Sequence, residues 1–131
     1  MFQEGEKVTY KSEVQKTMTA IVRKLDDYKA EKIVKLDVQK ISSIADVMII
    51  ATGTSTRHVM SLAHHLVEDL KKKKIIPLND IHQGDGHWVV IDLGAILVHI
   101  FTEEARARYD LEGMWQKPKS THSRKAPRKS A

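Results

Sequence analysis

Asp46-Val47-Met48-Ile49-Ile50-Ala51-Thr52-Gly53-Thr54-Ser55 decides the fold. Val47 to Ala51 is a continuous apolar run, the pattern of a central strand buried on both faces. Gly53 ends it, and Thr54 or Ser55 can cap a following helix. Val59, Leu62, Ala63, Leu66, Val67 and Leu70 then recur at helical spacing, which predicts a helix over 56–74. Lys71 to Lys74 fall in its last turn, where cations favour the carbonyl end. A buried strand feeding an amphipathic helix is the start of an α/β domain.

Upstream, Val14, Met18, Ile21, Val22, Leu25 and Tyr28 mark one face of a helix over about 11–30, and residues 1–10 read as an N-terminal extension without clear pattern. Ile33 to Gln39 alternates as a strand with one wet face. Downstream, Ile75, Ile76 and Leu78 read as a short edge strand, with Pro77 unable to donate to a ladder. Residues 79–87 are turn-rich. Trp88–Asp92 and Ala95–Phe101 form a hairpin, with Leu93-Gly94 as its expected two-residue turn. Ala107, Leu111, Met114 and Trp115 give a last helix over about 103–115. The sum is a single α/β domain over 11–116, with a mixed sheet of about five strands, flanking helices and a right-handed crossover through helix 56–74.

The 131-residue chain carries a net charge of +5, but not evenly. Six of its 22 basic residues lie in 117–131, which has no acidic residue; 16 basic and 17 acidic residues remain before it. The body is therefore near neutral. Residues 117–131, rich in Pro, Ser, Lys and Arg, read as a disordered basic tail. A general nucleic-acid-binding domain would carry its basic excess on the body. With no cysteine, disulfides and thiolate-held metals are excluded. No apolar run reaches the ~20 residues needed to span a bilayer, and the acidic start (Glu4, Glu6) is no export signal, so a cytoplasmic protein without membrane contact is expected.

Catalytic patterns are weak. Thr52-Gly53-Thr54-Ser55 offers a helix N-terminus that suits phosphate, but no P-loop Lys-Ser or Lys-Thr follows. A nucleotidyl-transferring domain needs two carboxylates on a following strand to hold metal ions. Ile75-Ile76-Pro77-Leu78 has none, and Asp37, Asp46 and Asp92 are scattered over three segments. His58, His64 and His65 lack the i, i+4 spacing of a zinc helix, so solvated histidines are the plainer reading. Ser55 and Ser61 have no nucleophile elbow. No cofactor, metal or enzymatic activity is expected.

Binding chemistry is better marked. A turn at Leu93-Gly94 pairs Asp92 with Ala95, Val90 with Leu97 and Trp88 with His99, all on one sheet face. Val89, Ile91, Ile96, Val98 and Ile100 share the core face. The first set should be polar if that face meets water, yet Trp88, Val90 and Leu97 are apolar. Either a helix covers the face, or it presents an aromatic patch edged by Asp92 and His99. Tyr109 falls off the stripe of the last helix, grouped with Arg106 and Glu112. Tryptophan, tyrosine and arginine are the residues enriched at interfaces.

Several of these segments together are distinctive. Leu36-Asp37-Val38, Ser42-Ser43-Ile44 with Asp46, Ile49 to Ser55 with Arg57-His58-Val59, Trp88 to Gly94, Val98-His99, and Arg108-Tyr109-Asp110-Leu111-Glu112 ending at Trp115 strongly resemble the ribosomal silencing factor (Iojap-like) family, over about residues 12–116. The resemblance implies a nucleotidyltransferase-like fold without catalytic carboxylates, often homodimeric. It implies a translational repressor that binds large-subunit ribosomal protein fourteen on the large ribosomal subunit and sterically blocks joining of the small subunit when nutrients are short. It places Trp88 and Tyr109 on the partner-binding surface, with Asp92, Arg106, Leu111 and Glu112 as neighbours in the matching motif. Lys40 stands where the family commonly has glycine, and the basic tail lies outside the family pattern; a contact of that tail with ribosomal RNA through counterion release is its sharper reading. The rivals are a metal-dependent nucleotidyl or phosphoryl transferase using Asp37, Asp46 and Asp92, and a factor that guards immature large subunits during assembly.

Overall fold

The computed structural model describes residues 2–40, 42, 45–81 and 84–110, with side chains from residue 12 onward. The order is α1 (Phe2–Asp27), β1 (Glu31–Asp37), β2 (Val47–Gly53), α2 (Thr56–Lys71), β3 (Trp88–Asp92), β4 (Ile96–Thr102) and α3 (Glu103–Tyr109). The described strands form one four-stranded sheet ordered β1-β2-β4-β3. β2 and β4 are parallel, while β1 and β3 flank them antiparallel. The sheet is mixed, as expected, but has four strands rather than five.

The missing strand has a physical explanation. Ile75–Leu78 makes one ladder-like bond, from Leu78 N–H to the Asp92 carbonyl (2.8 Å). Asn79 then takes the place of a strand with its side chain. Its Nδ2 donates to the Val90 carbonyl (2.8 Å), and its Oδ1 accepts from Asp92 N–H (2.9 Å). The outer edge of β3 is thus capped by one amide, a substitute for the neighbour Pro77 interrupts.

α1 and α2 cover the sheet face made by Ile49, Ala51, Val89, Ile91, Ile96, Val98 and Ile100, and Ile21 and Leu25 of α1 are fully buried there with Val59, Leu62 and Leu66 of α2. Two aliphatic faces closing on a sheet supply the main driving force for folding. The helices also clamp each other. Tyr28 stacks on His65 (4.7 Å between ring centres) and donates its hydroxyl to Asp69 (3.2 Å), which also lies 3.6 Å from the Lys24 ammonium. α1 begins at Phe2, nine residues before the expected start.

Both long helices end the same way. Ala30 N–H bonds the Leu25 carbonyl and Ile75 N–H bonds the Leu70 carbonyl, with Lys29 (φ 72°) and Lys74 (φ 64°) in left-handed backbone just before. This is the Schellman closure, which usually places glycine at the left-handed position. α2 accordingly stops at Lys71 rather than running through Lys74.

Candidate partner-binding surface

The hairpin register sets the site. Trp88 lies opposite Phe101, Val90 opposite His99 and Asp92 opposite Leu97. The expected pairs are each displaced by two residues, because the turn is Gly94-Ala95 and not Leu93-Gly94: Leu93 N–H bonds the Ile96 carbonyl (2.9 Å) across it. Gly94 has φ 87° while Ala95 has no positive φ, the arrangement of a type II′ turn with glycine at its first central position. A two-residue displacement preserves the side-chain faces, so Trp88, Val90, Leu97 and His99 still share one, and Phe101 joins them.

Trp88 is half-buried at the centre of an aromatic cluster. Its ring centre lies 4.5 Å from Tyr109, 5.0 Å from Phe101 and 5.9 Å from His99. Phe101 is buried beneath it, whereas Tyr109 is 43% exposed, large for an aromatic touching three-ring packing. The indole Nε1–H donates to His99 Nδ1 (3.1 Å). That bond makes Nδ1 the acceptor and leaves the imidazole proton on Nε2. Burial pushes the His99 pKa down to about 4, so the ring is neutral near pH 7. His99 Nε2 is buried without a hydrogen-bond partner among the described residues. Both expected alternatives for this face are partly realised: α3 lies over one end of it through the buried Ala105, and an aromatic group still reaches the surface at that end.

α3 delivers Tyr109. Thr102 caps it, its hydroxyl accepting from Ala105 N–H (3.3 Å), with Glu103 and Glu104 in the first turn. Asp110, in left-handed backbone (φ 46°), closes it after Tyr109, so the helix is shorter than the 103–115 expected. Ala105 faces the sheet; Ala107, expected on the buried stripe, is exposed. Arg106 fixes the helix in place. Its Nη1 donates to the Lys32 carbonyl (2.6 Å) and to the Thr52 hydroxyl (2.7 Å), which is buried at the end of β2. Lys32 in turn bonds Glu103 through its ammonium (2.7 Å), which holds the Glu103 carboxyl below its ordinary range.

The remaining expected site residues separate. Asp92 lies at the far end of β3 from Trp88, four residues or about 13 Å away along a strand. There its Oδ1 accepts from Gly94 N–H (3.0 Å), which makes it a turn residue of the hairpin. Leu111 and Glu112 lie outside the described residues, as do Met114, Trp115 and the basic tail. Sequence reasoning missed Phe101 as the floor of the cluster and Thr52 as the anchor of Arg106. The Gly94-Ala95 turn was the available signal for Phe101.

The rival chemistry finds no shared geometry. Asp37, Asp46 and Asp92 belong to the end of the sheet where β2 begins, and Gly53 to the end where it stops. Asp37 Oδ1 accepts from Gln39 N–H (3.1 Å), again a turn role. Among the described residues, no three His, Asp or Glu side chains are grouped as a metal site. Gly53 has a packing reason: a Cβ there would meet Val59 Cγ2 at 2.8 Å. The α2 N-terminus is also occupied, by the Ser55 hydroxyl on His58 N–H (3.1 Å) and by His58 itself, whose ring accepts from Thr54 N–H (2.9 Å) and donates to the Tyr28 carbonyl (3.0 Å). No helix among the described residues is long and apolar enough to cross a membrane.

Comparison with known proteins gives a consistent result. The family model described as ribosomal silencing factor during starvation matches residues 11–131, and so continues through the basic segment expected to lie outside it. A ribosomal silencing factor of Haemophilus influenzae is 40% identical over 95 residues, covering 72% of this chain and 93% of its own length. A mouse protein named for mitochondrial assembly of the ribosomal large subunit is 36% identical over 73 residues, 53% of this chain and 32% of the mouse protein. Among solved structures, a Chromobacterium violaceum protein superposes with a TM-score of 0.74 at 32% identity, covering 83% of this chain and 92% of that one.

Proposed function

From the premise that this chain belongs to the ribosomal silencing factor family, whose role is ribosome-associated silencing, we propose that it docks on large-subunit ribosomal protein fourteen through the Trp88–Tyr109 surface. Its remaining volume then occupies space that the small subunit needs. The observation that carries this reading is the half-exposed Tyr109 ring packed 4.5 Å from Trp88, at the end of the sheet where β3 begins and α3 ends. Aromatic side chains partly seated in their own protein keep little freedom to lose on binding, which is what an anchor requires. Arg106 belongs to this reading as a positioning residue, because it ties α3, and hence Tyr109, to β1 and β2. Asp92 is assigned to the hairpin turn and drops out of the docking surface; Leu111 and Glu112, next in chain after α3, stay within it by sequence.

No bond is made or broken in this mechanism. A specific interface of roughly 1,600 Å² in total is enough to exclude a competing surface. The carboxylates stand at the opposite end of β2 from the Gly53 turn, which disfavours the transferase reading. The test is subunit reassociation: purified large and small subunits mixed at a permissive magnesium concentration, with and without the protein, and followed on sucrose gradients. The joined peak should fall in proportion to added protein, with the protein migrating with the large subunit. A joined peak that does not change at saturating protein contradicts the proposal.

A second reading is favoured by one finding, the mouse relative named for large-subunit assembly. The same docking surface would then guard immature large subunits. Cells lacking the protein would accumulate incomplete large subunits during growth; under silencing alone they would show complete subunits and unrepressed translation in starvation.

A further inference from the structure

The near-neutral body carries one concentrated block of charge. Lys71, Lys72, Lys73 and Lys74 are consecutive and all exposed, and none makes an ion pair among the described residues. A lysine at a helix C-terminus gains from the dipole, but that accounts only for the last turn. α2 ends at Lys71, so three of the four lie beyond it. Lys74 also sits in left-handed backbone at φ 64°, a position glycine fills without strain. Lys29 closes α1 in the same backbone, so the left-handed position belongs to the helix closure and the block is marked by its four consecutive exposed ammonium groups. The block continues into Ile76 and Leu78, large hydrophobic side chains exposed by 58% and 72%. Leu78 is tied by its N–H to Asp92 (2.8 Å), so the block stands at the opposite end of β3 from Trp88.

We propose that Lys71–Lys74 is a second contact surface that binds the phosphate backbone of double-helical RNA, at the far end of the β3 edge from the aromatic surface. The chemistry of the block favours phosphate without base recognition. Ammonium groups on flexible stems act as point charges, and the run includes no arginine for bidentate pairing and no aromatic for base stacking. Four lysines meeting phosphates release condensed counterions, which gives affinity with steep salt dependence and little sequence preference. The proposal rests on the ribosomal reading for the source of the RNA. On a large subunit it gives the protein two separated footholds, one on protein and one on RNA, which fixes orientation better than either alone.

The experiment compares the full chain with its Lys71–Lys74→Gln variant, using a 20-base-pair RNA duplex as probe at several salt concentrations. Glutamine keeps the helix propensity of lysine, and the segment 117–131 is common to both chains. The variant should bind at least tenfold more weakly at low salt, with a slope of log affinity against log salt shallower by about 2 to 4. Lys74→Gly gives a second check: it should unfold at a higher temperature and yet bind the duplex more weakly, so loss of fold cannot mimic the result. Equal affinity and equal slope for parent and quadruple variant would overturn the proposal. So would competition by polyglutamate as effective as competition by RNA at matched charge, which would mark the block as a site for acidic protein. Tyr109→Ala should leave duplex binding unchanged; if Tyr109→Ala also leaves ribosome docking unchanged while the lysine effect persists, the docking reading fails and the RNA surface stands.

Discussion

At the scale of single residues, His99 and Trp88 share one hydrogen bond and one liability. The imidazole accepts the indole proton only while neutral, and burial holds its pKa at about 4 against an ordinary value of 6.5. In the unfolded chain the same ring takes up a proton near pH 6.5, so acid favours unfolding. Stability should be full above pH 6.5 and fall between pH 6.5 and about 4, by as much as about 3 kcal/mol from this residue. His99→Gln, whose carbonyl can still accept from the indole, should flatten that fall; urea denaturation at pH 7 and pH 4.5 measures it. An equal fall in both proteins would place the acid sensitivity elsewhere. Gly94 shows what one residue does to legibility. The turn at Gly94-Ala95 lies one position beyond the expected Leu93-Gly94, and in a hairpin that moves every partner by two. The faces survived because two is the period of a strand, so Trp88 kept its side of the sheet while its true neighbour Phe101 went unseen.

At the scale of elements, the short helix α3 has seven residues, too few to hold itself together in water. It depends on Ala105 against the sheet and on Arg106, whose guanidinium satisfies a backbone carbonyl and the buried Thr52 hydroxyl. Arg106→Met keeps the aliphatic stem but leaves both acceptors unpaired. A loss of about 1–3 kcal/mol in stability is expected, together with weaker docking because Tyr109 loses its support. A variant with unchanged stability would show that the two bonds are not formed in solution. Legibility differed by element. β2 and α2 are plain, because Gly53 bounds a short apolar run of strand length and the stripe of α2 repeats at helical spacing over four turns. Ile75–Leu78 misled, because its apolar pattern is that of an edge strand while Asn79, a residue read only as turn-forming, supplies the edge hydrogen bonds. The early part of α1 has no apolar signature, since residues 2–13 carry little helical apolar spacing.

At the scale of the whole molecule, β3 is the organising edge. Trp88 and Tyr109 stand at one end, the lysine block and the turn-capping Asp92 at the other. The sequence placed Trp88, Tyr109 and Arg106 near one another through family likeness and an off-stripe position, and the structure brings their elements together; it also moves Asp92 away, which no one-dimensional spacing could show. The central claim is that the exposed Tyr109, packed on the half-buried Trp88, is the docking anchor. It is tested most directly by equilibrium binding of the full chain to isolated large subunits, comparing parent, Tyr109→Ala and Trp88→Ala. Tyr109 is the cleaner probe, since Trp88→Ala also removes the donor to His99 and should cost stability. Each substitution should weaken binding by about 2 kcal/mol or more, roughly thirtyfold, with Tyr109→Ala lowering the unfolding midpoint less than Trp88→Ala does. Parent-like affinity for both folded variants would contradict the account.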